Sequence, residues 1–399
     1  MNTERRKPDI ARPLIDWTEG GARQSALWRS EAGLAPPARV QVVDDTLTAD
    51  AAYRLACGGT ALLWRGDFQN ARQLLQAIAR RIENKTRKPR QAQAPGEAPR
   101  APADAFHLQR MAQAQRARTL GMLLIPCLAQ HVIALRRAPE VQAACAEAYG
   151  PAEAPYVTSL RELLGLIGAH EWRKKGVEIA ALEGRIHPHY GVFSPVRGEY
   201  VALVAAAPLP ASVAANSLAF DIGTGTGVLA AVLARRGVAR VVATDQDARA
   251  IACARENIDR LGLNGQVSVV AADLFPPGRA PLVVCNPPWL PGRPSSPLDA
   301  AIYDLDSHML FGFVAGLAAH LEADGEGWLI LSDLAEHLGL RMRDELLARI
   351  AAAGLVVRGR LDTRPTHPRA FDRSDALHAA RAAEVTSLWR LAATPAAEV

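Results

Sequence analysis

The feature that most constrains the fold is a regular alternation of short apolar segments with helical patterns, which begins at Ser217. Seven segments have the composition of β-strands: SLAFDIG, VARVVATD, QVSVVAAD, APLVVCN, EGWLILS, LVVRGRLD and EVTSLWRL. The first five alternate with helices, as in βαβ units, and predict an α/β fold with a doubly wound parallel sheet. The last two are joined by a loop and predict an antiparallel edge of that sheet.

Polar residues end four consecutive strands of this predicted sheet: Asp221, Asp245, Asp273 and Asn286. Open α/β sheets bind ligands at the carboxyl ends of their strands, so we predict a binding site at this edge. A single acid after a strand is usually a helix cap or a turn residue, but four in register favour a site. Asp247, two residues beyond Asp245, is interpreted as the cap of the next helix.

The first of these strands runs into a glycine-rich loop, DIGTGTG, in which Gly223, Gly225 and Gly227 open the following helix. Glycines let the backbone turn sharply and let a ligand approach the free N–H groups of a helix N-terminus. A dinucleotide site requires G-x-G-x-x-G. Val228 occupies the place of the third glycine, which argues against NAD and a dehydrogenase. The loop also lacks the G-K-[ST] of a phosphate-binding P-loop.

The fourth strand ends in the heptapeptide VVCNPPW. Two prolines in a row remove backbone donors and fix φ, so they stop a β-ladder abruptly. The result is a stiff corner that presents the amide of Asn286 and the ring of Trp289 at the carboxyl end of a strand. A polar and an aromatic side chain on a rigid corner indicate a site rather than an ordinary turn.

Taken together, these motifs give the region from about Phe193 to Leu391 a resemblance to the class I S-adenosylmethionine-dependent methyltransferases. Within that family it looks like the branch with an [D/N]-P-P-[F/Y/W] motif, which methylates planar amino nitrogens. The resemblance implies a Rossmann-like seven-stranded methyltransferase sheet and S-adenosyl-L-methionine as cofactor. The implied cofactor-binding residues are Asp221, Gly223, Thr224, Gly225, Gly227, Asp245 (ribose), Asp273 (adenine) and Asn286. The implied catalytic residues are Asn286, Pro287, Pro288 and Trp289.

The chemistry of such an acceptor explains the motif. The lone pair of an amide or aromatic amine nitrogen is delocalised, which makes the nitrogen a poor nucleophile. The side-chain oxygen of Asn286 and the carbonyl of Pro287 can accept both N–H bonds and direct the lone pair at the methyl group. Trp289 could stack on the planar target, as aromatic side chains do with bases.

A segment before the glycine loop, FSPVRGEY, supplies the candidate substrate residues Phe193, Arg197 and Glu199. It is loosely similar to a proline-arginine-glutamate segment of the release-factor glutamine methyltransferases. A local salt bridge between Arg197 and Glu199 is the alternative interpretation. After the NPPW motif, the run Tyr303–Asp306 could line a substrate pocket, or Asp306 could cap a helix.

Two kinds of acceptor compete for the same site. The chain is similar to ribosomal-RNA guanine-N2 methyltransferases, which also carry an α/β N-terminal half, and to release-factor glutamine methyltransferases, whose N-terminal domain is small and helical. We expect an exocyclic amine of a base in RNA, ribosomal or transfer, as the acceptor. The alternatives are a protein glutamine, a small-molecule amine, and a non-catalytic module that binds S-adenosylmethionine or RNA.

Composition shifts divide the chain into three predicted parts. Residues 1–150 form a mixed α/β N-terminal domain with a possible role in substrate recognition, and residues 84–104 form a flexible basic linker within it. Residues 151–192 form a helical connector and a strand, and residues 193–399 form the methyltransferase domain. The predicted N-terminal elements are strands at 61–66, 122–128 and 131–135 and helices at 70–82, 107–120 and 140–149, with the connector helix at 157–175.

Charge and cysteine content limit the kinds of partner, metal site and cellular location that we expect. Ten basic and three acidic residues lie between Arg80 and Arg118, in a chain whose net charge is +5. This basic stretch is either a footprint for RNA or a solvated linker. No apolar run is long enough to span a membrane, and the five cysteines form no C-x-x-C pair. We expect a cytoplasmic protein without a metal site, in which His187 and His189 are structural.

Overall fold

The computed structural model describes residues 13–87, 101–196, 198–366, 372–373 and 375–394. The chain divides into two compact units. The first comprises Met1–Ala98 and Arg110–His170, and the second comprises Pro99–Gln109 and Glu171–Val399. The predicted limits at residues 150 and 192 differ from this division and stay predictions of domain boundaries.

The first unit contains a mixed six-stranded sheet in the order β1-β2-β6-β5-β4-β3. Its strands are β1 (Leu14–Glu19), β2 (Ala22–Trp28), β3 (Val40–Val43), β4 (Ala61–Trp64), β5 (Leu123–Cys127) and β6 (Tyr156–Ser159). The helices of this part of the chain are α1 (Ala49–Cys57), α2 (Phe68–Arg87), α3 (Pro102–Leu120), α4 (Gln142–Tyr149) and α5 (Leu160–Lys175). The predicted mixed α/β character of the N-terminal region is confirmed.

Two local predictions for this region are wrong, and a third is wrong only at its ends. Residues 131–135 form no strand, because Gln130 and His131 adopt positive φ angles of 57° and 61° after β5 and turn the chain away. The predicted connector helix begins only at Leu160, since Tyr156–Ser159 pairs with both β5 and β2 as a sheet strand. Both ends of the predicted linker are helical, in α2 and α3, and its residues 88–100 lie outside the described part of the chain.

The second unit is built on a seven-stranded sheet in the order β11-β10-β9-β12-β15-β17-β16. Its strands are β7 (Val177–Ile179), β8 (Gly184–Ile186), β9 (Leu218–Ile222), β10 (Arg240–Asp245), β11 (Val267–Ala271), β12 (Ala280–Cys285), β13 (Leu290–Pro291), β14 (Tyr303–Asp304), β15 (Leu321–Ser332), β16 (Leu355–Thr363) and β17 (Thr386–Ala393). Its helices are α6 (Glu199–Ala206), α7 (Ser212–Ala215), α8 (Val228–Arg235), α9 (Ala248–Arg260), α10 (His308–His320), α11 (Leu334–His337), α12 (Arg343–Ala352) and α13 (His378–Ala383). The short pairs β7/β8 and β13/β14 lie outside the main sheet.

The direction of the strands agrees with the sequence pattern. β9, β10, β11, β12 and β15 run parallel, whereas β17 pairs antiparallel with both β15 and β16. The predicted α/β class with a parallel-rich, Rossmann-like sheet and an antiparallel edge is therefore confirmed.

Helices cover both faces of this sheet, which explains why its central strand is apolar throughout. In β12, Leu282 and Val284 pack into one core with α6, α8 and α9. Val283 and Cys285 face the other core with α10 and α12. A strand buried on both faces reads as a continuous apolar run, and this one stops where Asn286 begins the polar edge.

Candidate active site

Four parallel strands bring the predicted polar residues to one edge of the second unit's sheet. β10 pairs with β9 and β11, and β9 pairs with β12, all in parallel register. Asp245 is the last residue of β10, and Asn286 directly follows β12. This common direction gathers side chains that lie far apart in the sequence.

The glycine loop between β9 and α8 depends on backbone conformations that favour glycine. Gly223, Gly225 and Gly227 have φ angles of 69°, 55° and 81°. Gly227 is also the residue that precedes the first turn of α8. The loop therefore turns sharply and exposes its main chain at a helix N-terminus, as its sequence predicts.

Asp221 stabilises this loop through buried hydrogen bonds. Asp221 is 1% exposed, and its Oδ2 accepts hydrogen bonds from Thr224 Oγ1 at 2.6 Å and from the backbone N–H of Ala230 at 3.0 Å. Burial raises the pKa of Asp221 to about 6, although both hydrogen bonds favour the ionised form. Asp221 thus joins the end of β9, the loop and the first turns of α8.

Asp245 faces the loop from the next strand. Its Oδ2 accepts a hydrogen bond from Gly225 N at 3.0 Å, and its Oδ1 accepts one from Asp247 N at 2.9 Å. Burial raises the pKa of Asp245. Asp247 caps α9 by accepting hydrogen bonds from the N–H groups of Arg249 and Ala250, so its predicted role as a cap is confirmed.

Asp273 follows β11 on an exposed turn with an unusual backbone. The next residue, Leu274, has a φ of 66°, a conformation that is rare outside glycine. Thr244 Oγ1 donates a 2.6 Å hydrogen bond to the carbonyl of Leu274 and secures this turn to β10. The strained turn places Asp273 in the wall of the same cavity as Asp245.

The NPPW corner is secured from two sides. Trp289 Nε1 donates a hydrogen bond to Asn286 Oδ1 at 2.8 Å, inside the motif itself. Arg341 Nη2 donates to the carbonyl of Trp289 at 3.4 Å. Beyond the motif, Leu290–Pro291 of β13 pairs with Tyr303–Asp304 of β14.

A single cavity of about 900 Å³ joins the glycine loop to the NPPW corner. The predicted site residues in its wall are Phe193, Gly223, Thr224, Gly225, Asp245, Asp273, Asn286, Pro287, Pro288 and Trp289. Of the other predicted site residues that the structure describes, Asp221, Gly227 and Glu199 stand behind or beside the wall rather than in it. The volume lies within the usual range for cofactor and substrate pockets.

Residues 183–339 match the family model of the methyltransferase small domain. The chain carries a methyltransferase small domain. It is a domain of the class I S-adenosylmethionine-dependent methyltransferases, so the predicted family and the predicted cofactor are confirmed.

Curated relatives of the methyltransferase small domain act on different acceptors. The chain is 49% identical over 69 residues to ribosomal protein L11 methyltransferase of Pelotomaculum thermopropionicum, which is 17% of this chain and 22% of that protein. It is 34% identical over 143 residues to the tRNA1(Val) (adenine(37)-N6)-methyltransferase of Pedobacter heparinus, 32% of this chain and 60% of that protein. It is 40% identical over 73 residues to release factor glutamine methyltransferase of Cereibacter sphaeroides, 18% of this chain and 26% of that protein. Each match spans less than two thirds of the relative's length.

The substrate-side predictions in the methyltransferase small domain are only partly placed. Phe193 lines the cavity, and Arg197 lies outside the described residues. Glu199 begins α6, where its Oε1 accepts hydrogen bonds from the N–H and the hydroxyl of Thr366. A role for these residues in substrate binding stays a prediction.

Several residues of the cavity wall belong to no motif that the sequence reveals. Met309 packs so closely on the glycine loop that a Cβ at Gly223 would lie 2.3 Å from its terminal methyl. Arg381 and Glu384 reach the wall from the segment before β17, which has no motif that could have revealed them. Tyr303 lines the cavity, as the pocket interpretation of Tyr303–Asp306 predicts. The alternative interpretation, in which Asp306 caps a helix, is wrong. Asp304 accepts the hydrogen bond from the first turn of α10, at Leu310 N, because Asp306 adopts a φ of 55°.

The two histidines before the glycine loop have partners within the protein. His187 Nδ1 bonds to the carbonyl of Arg173 at 2.7 Å, and His189 Nε2 bonds to Glu256 at 2.7 Å. Among the described residues, no group of three or more potential ligands could hold a metal ion. No helix in the described ranges is long and apolar enough to cross a membrane.

Proposed function

We propose that this protein transfers a methyl group from S-adenosylmethionine to a planar amino nitrogen, and that the acceptor is an exocyclic amine of an RNA base. The observation that carries the proposal is the continuous cavity between the glycine loop and the NPPW corner. A cofactor held at the loop and an amine held at Asn286 would share one cavity.

At the loop end, the chain offers the groups that a nucleoside with an amino-acid tail needs. The turn at Gly223 and Gly225 exposes main chain, and Asp245 ends the adjacent strand, where a carboxylate suits ribose hydroxyls. Asp273, in the wall beyond β11, suits the amino group of adenine. These residues therefore fit S-adenosylmethionine.

At the motif end, Asn286 Oδ1 and the carbonyl of Pro287 act as paired acceptors for the two N–H bonds of the amine. Oδ1 already accepts the indole N–H of Trp289, and its second lone pair accepts one hydrogen of the substrate. The lone pair of the nitrogen then points along the cavity. Orientation of this kind can contribute up to ~7–11 kcal/mol to lowering the barrier.

Held at the glycine loop and Asp245, S-adenosylmethionine would supply a methyl group on a positively charged sulfur and would leave as the neutral thioether, and the methylated nitrogen would lose one proton to water. Trp289 provides a flat apolar surface for the acceptor, worth about 1–3 kcal/mol if a base stacks on it. The reaction needs no general base at the nitrogen, because the methylated nitrogen is acidic and loses its proton readily to water.

Two observations favour RNA over a protein glutamine. The N-terminal unit is a mixed α/β sheet rather than a small helical domain. The tRNA adenine-N6 enzyme is matched over 143 residues at 34% identity, whereas a putative protein N5-glutamine methyltransferase of Methanocaldococcus jannaschii is matched over 142 residues at 26%. The glutamine alternative draws on the release factor relative and uses the same paired acceptors.

The basic stretch gives RNA weaker support than its composition suggests. Two of its arginines are engaged in ion pairs, Arg81 with Asp50 and Arg116 with Glu83. Lys88, Arg90 and Arg100 lie outside the described residues. The substrate assignment therefore rests on the fold of the N-terminal unit and on the relatives.

The first experiment measures binding of S-adenosylmethionine, S-adenosylhomocysteine and NAD by calorimetry. It is followed by transfer of a labelled methyl group to transfer RNA, ribosomal RNA and a glutamine-containing peptide. We expect the first two ligands to bind, NAD not to bind, and label to appear in RNA as an N-methylated base. Asn286→Ala should lower turnover at least 100-fold while cofactor affinity changes far less. Label in the peptide alone would replace the RNA proposal, and near-normal turnover of Asn286→Ala would refute the mechanism.

A further inference from the structure

The side-chain amide of Asn286 has opposite hydrogen-bonding chemistry at its two ends. The proposed function needs Oδ1 to face the substrate amine as an acceptor. If the amide were rotated by half a turn, Nδ2 would present donors to the N–H bonds of the amine and repel them. The reaction therefore requires something that fixes the direction of this amide, and the inference below rests on the proposed function in that respect.

Trp289 can fix that direction because its indole nitrogen is only a donor. Nε1 lies 2.8 Å from Asn286 Oδ1, a distance typical of a good hydrogen bond. The same N–H facing Nδ2 would oppose two donors and leave the indole unsatisfied. The hydrogen bond therefore selects one orientation of the amide, and it leaves the second lone pair of Oδ1 for the substrate.

Trp289 is in turn held in place by its surroundings. Its partly buried ring packs against the apolar cores on both faces of the sheet. Its main-chain carbonyl accepts a hydrogen bond from Arg341 Nη2 at 3.4 Å. A rigid tryptophan is needed for the indole N–H to act as a fixed reference for the amide.

The burial of Arg341 costs folding free energy that its hydrogen bond to a carbonyl does not offset. The residue is only 4% exposed, and within the described part of the chain its Nε and Nη1 have no hydrogen-bond partner. Burying a guanidinium with incomplete hydrogen bonding disfavours the folded state, and apolar replacements at such positions are often stabilising. Arg341 is therefore poorly explained by stability alone.

We propose that Arg341 and Trp289 are positioning residues that fix the orientation of the Asn286 amide for the methyl acceptor. Arg341 holds the main chain of Trp289, and the indole N–H holds Oδ1. Tryptophan at this position is then not equivalent to phenylalanine, although either ring could stack on a planar target.

The first test replaces Arg341 by methionine, which keeps an unbranched apolar stem and removes the guanidinium with its charge. We expect Arg341→Met to raise Tm by a few degrees and to lower turnover on the RNA probe about 10-fold, with unchanged affinity for S-adenosylmethionine. Arg343→Met is the matched control, because Arg343 is two residues away and forms an ion pair with Glu336. It should leave turnover unchanged and not raise Tm. Full turnover of Arg341→Met would overturn the role of Arg341.

The second test removes the indole N–H, and the comparison of two backgrounds cancels the effect of the smaller phenyl ring. Trp289→Phe should lower turnover about 3–10-fold, the effect of losing one ordinary hydrogen bond. In an Asn286→Asp background the same change should cost less than twofold, because either carboxylate oxygen can accept. Equal losses in the two backgrounds would overturn the orientation argument.

A spectroscopic test needs no acceptor at all. The indole N–H resonance of Trp289, assigned by its absence in Trp289→Phe, should shift downfield and exchange slowly with solvent. Asn286→Ala should shift it upfield and speed its exchange. If Asn286→Ala changes neither the chemical shift nor the exchange rate of the indole N–H, this proposal is refuted whatever the acceptor is. Failure of the wild-type protein to methylate RNA or peptide would instead refute the proposed function, while the resonance would still report on the hydrogen bond.

Discussion

Asp245 Oδ2 accepts a hydrogen bond from the backbone N–H of Gly225 at 3.0 Å, so the end of β10 is tied to the glycine loop that leaves β9. The other oxygen of this carboxylate accepts the N–H of Asp247, which caps α9. One side chain therefore fixes the loop and faces the cavity at the same time. This double role makes Asp245 the most informative residue at the cofactor end.

Replacing Asp245 by alanine should weaken binding of S-adenosylmethionine at least 10-fold, about 1.4 kcal/mol, because both the ribose acceptor and the tie to Gly225 are lost. Calorimetric titration of the purified variant measures the effect. Asp344→Ala removes an exposed carboxylate in the first turn of α12 and serves as the control. Equal affinities of the two variants would show that Asp245 does not contact the cofactor.

Asp247→Ala should reduce the stability of the fold more than it reduces the affinity for the cofactor. Loss of the cap on α9 should lower the free energy of unfolding by about 1 kcal/mol, the usual cost of removing such a cap. Cofactor affinity should fall less than in Asp245→Ala, since the tie between Asp245 and Gly225 is retained. Denaturant unfolding and calorimetry on the same preparations separate the two effects. A loss of affinity equal to that of Asp245→Ala would contradict this division of roles.

Asp221 should make stability depend on pH. Burial raises the pKa of Asp221 from 3.8, its ordinary value in an unfolded chain, to about 6 in the folded protein. The folded state binds more protons between these values, so the contribution of Asp221 to stability falls as pH rises from about 4 to about 6 and is flat above. The full change is about 3 kcal/mol at 1.36 kcal/mol for each pKa unit.

Asp221→Asn cannot titrate and isolates this contribution. The difference in free energy of unfolding between Asp221→Asn and the wild type should shift in favour of the variant by about 2.4 kcal/mol between pH 4 and pH 7, because part of the full change lies below pH 4. Denaturant unfolding at a series of pH values measures it. A difference that is constant with pH would mean that the folded carboxylate titrates normally.

Gly227→Ala should destabilise the second unit. The φ of 81° is strained for alanine, and the added Cβ would lie 3.3 Å from Cα of Ala254 in α9. We expect a loss of about 1–2 kcal/mol or more in the free energy of unfolding, measured by thermal or denaturant melting. Gly265→Ala, in open space without a positive φ, should stay within about 0.5 kcal/mol of the wild type. Comparable stability of the two variants would contradict the strain argument.

The sequence predicted the second unit well because its signals are local. Each strand that is buried on both faces must be apolar along its length, and each turn that needs a positive φ favours glycine, as at Gly223 and Gly225. The ends of β9, β10, β11 and β12 were visible for the same reason. The first unit lacks such signals, and the short apolar run at residues 131–135 was assigned to a strand although the positive φ of His131 prevents one.

The sequence by itself determined the parallel sheet, the glycine loop, the stiff NPPW corner and the methyltransferase family, since these follow from local backbone chemistry and from motifs. Only the tertiary structure decided which polar groups face the cavity and which support it. Asp221 and Asp245 both lie at the carboxyl ends of neighbouring strands, but Asp221 is buried beneath the loop whereas Asp245 lines the cavity. The contact of Arg341 with Trp289 joins residues 52 positions apart, and no local pattern encodes such a pairing. Burial and long-range hydrogen bonds depend on how the helices pack on the sheet.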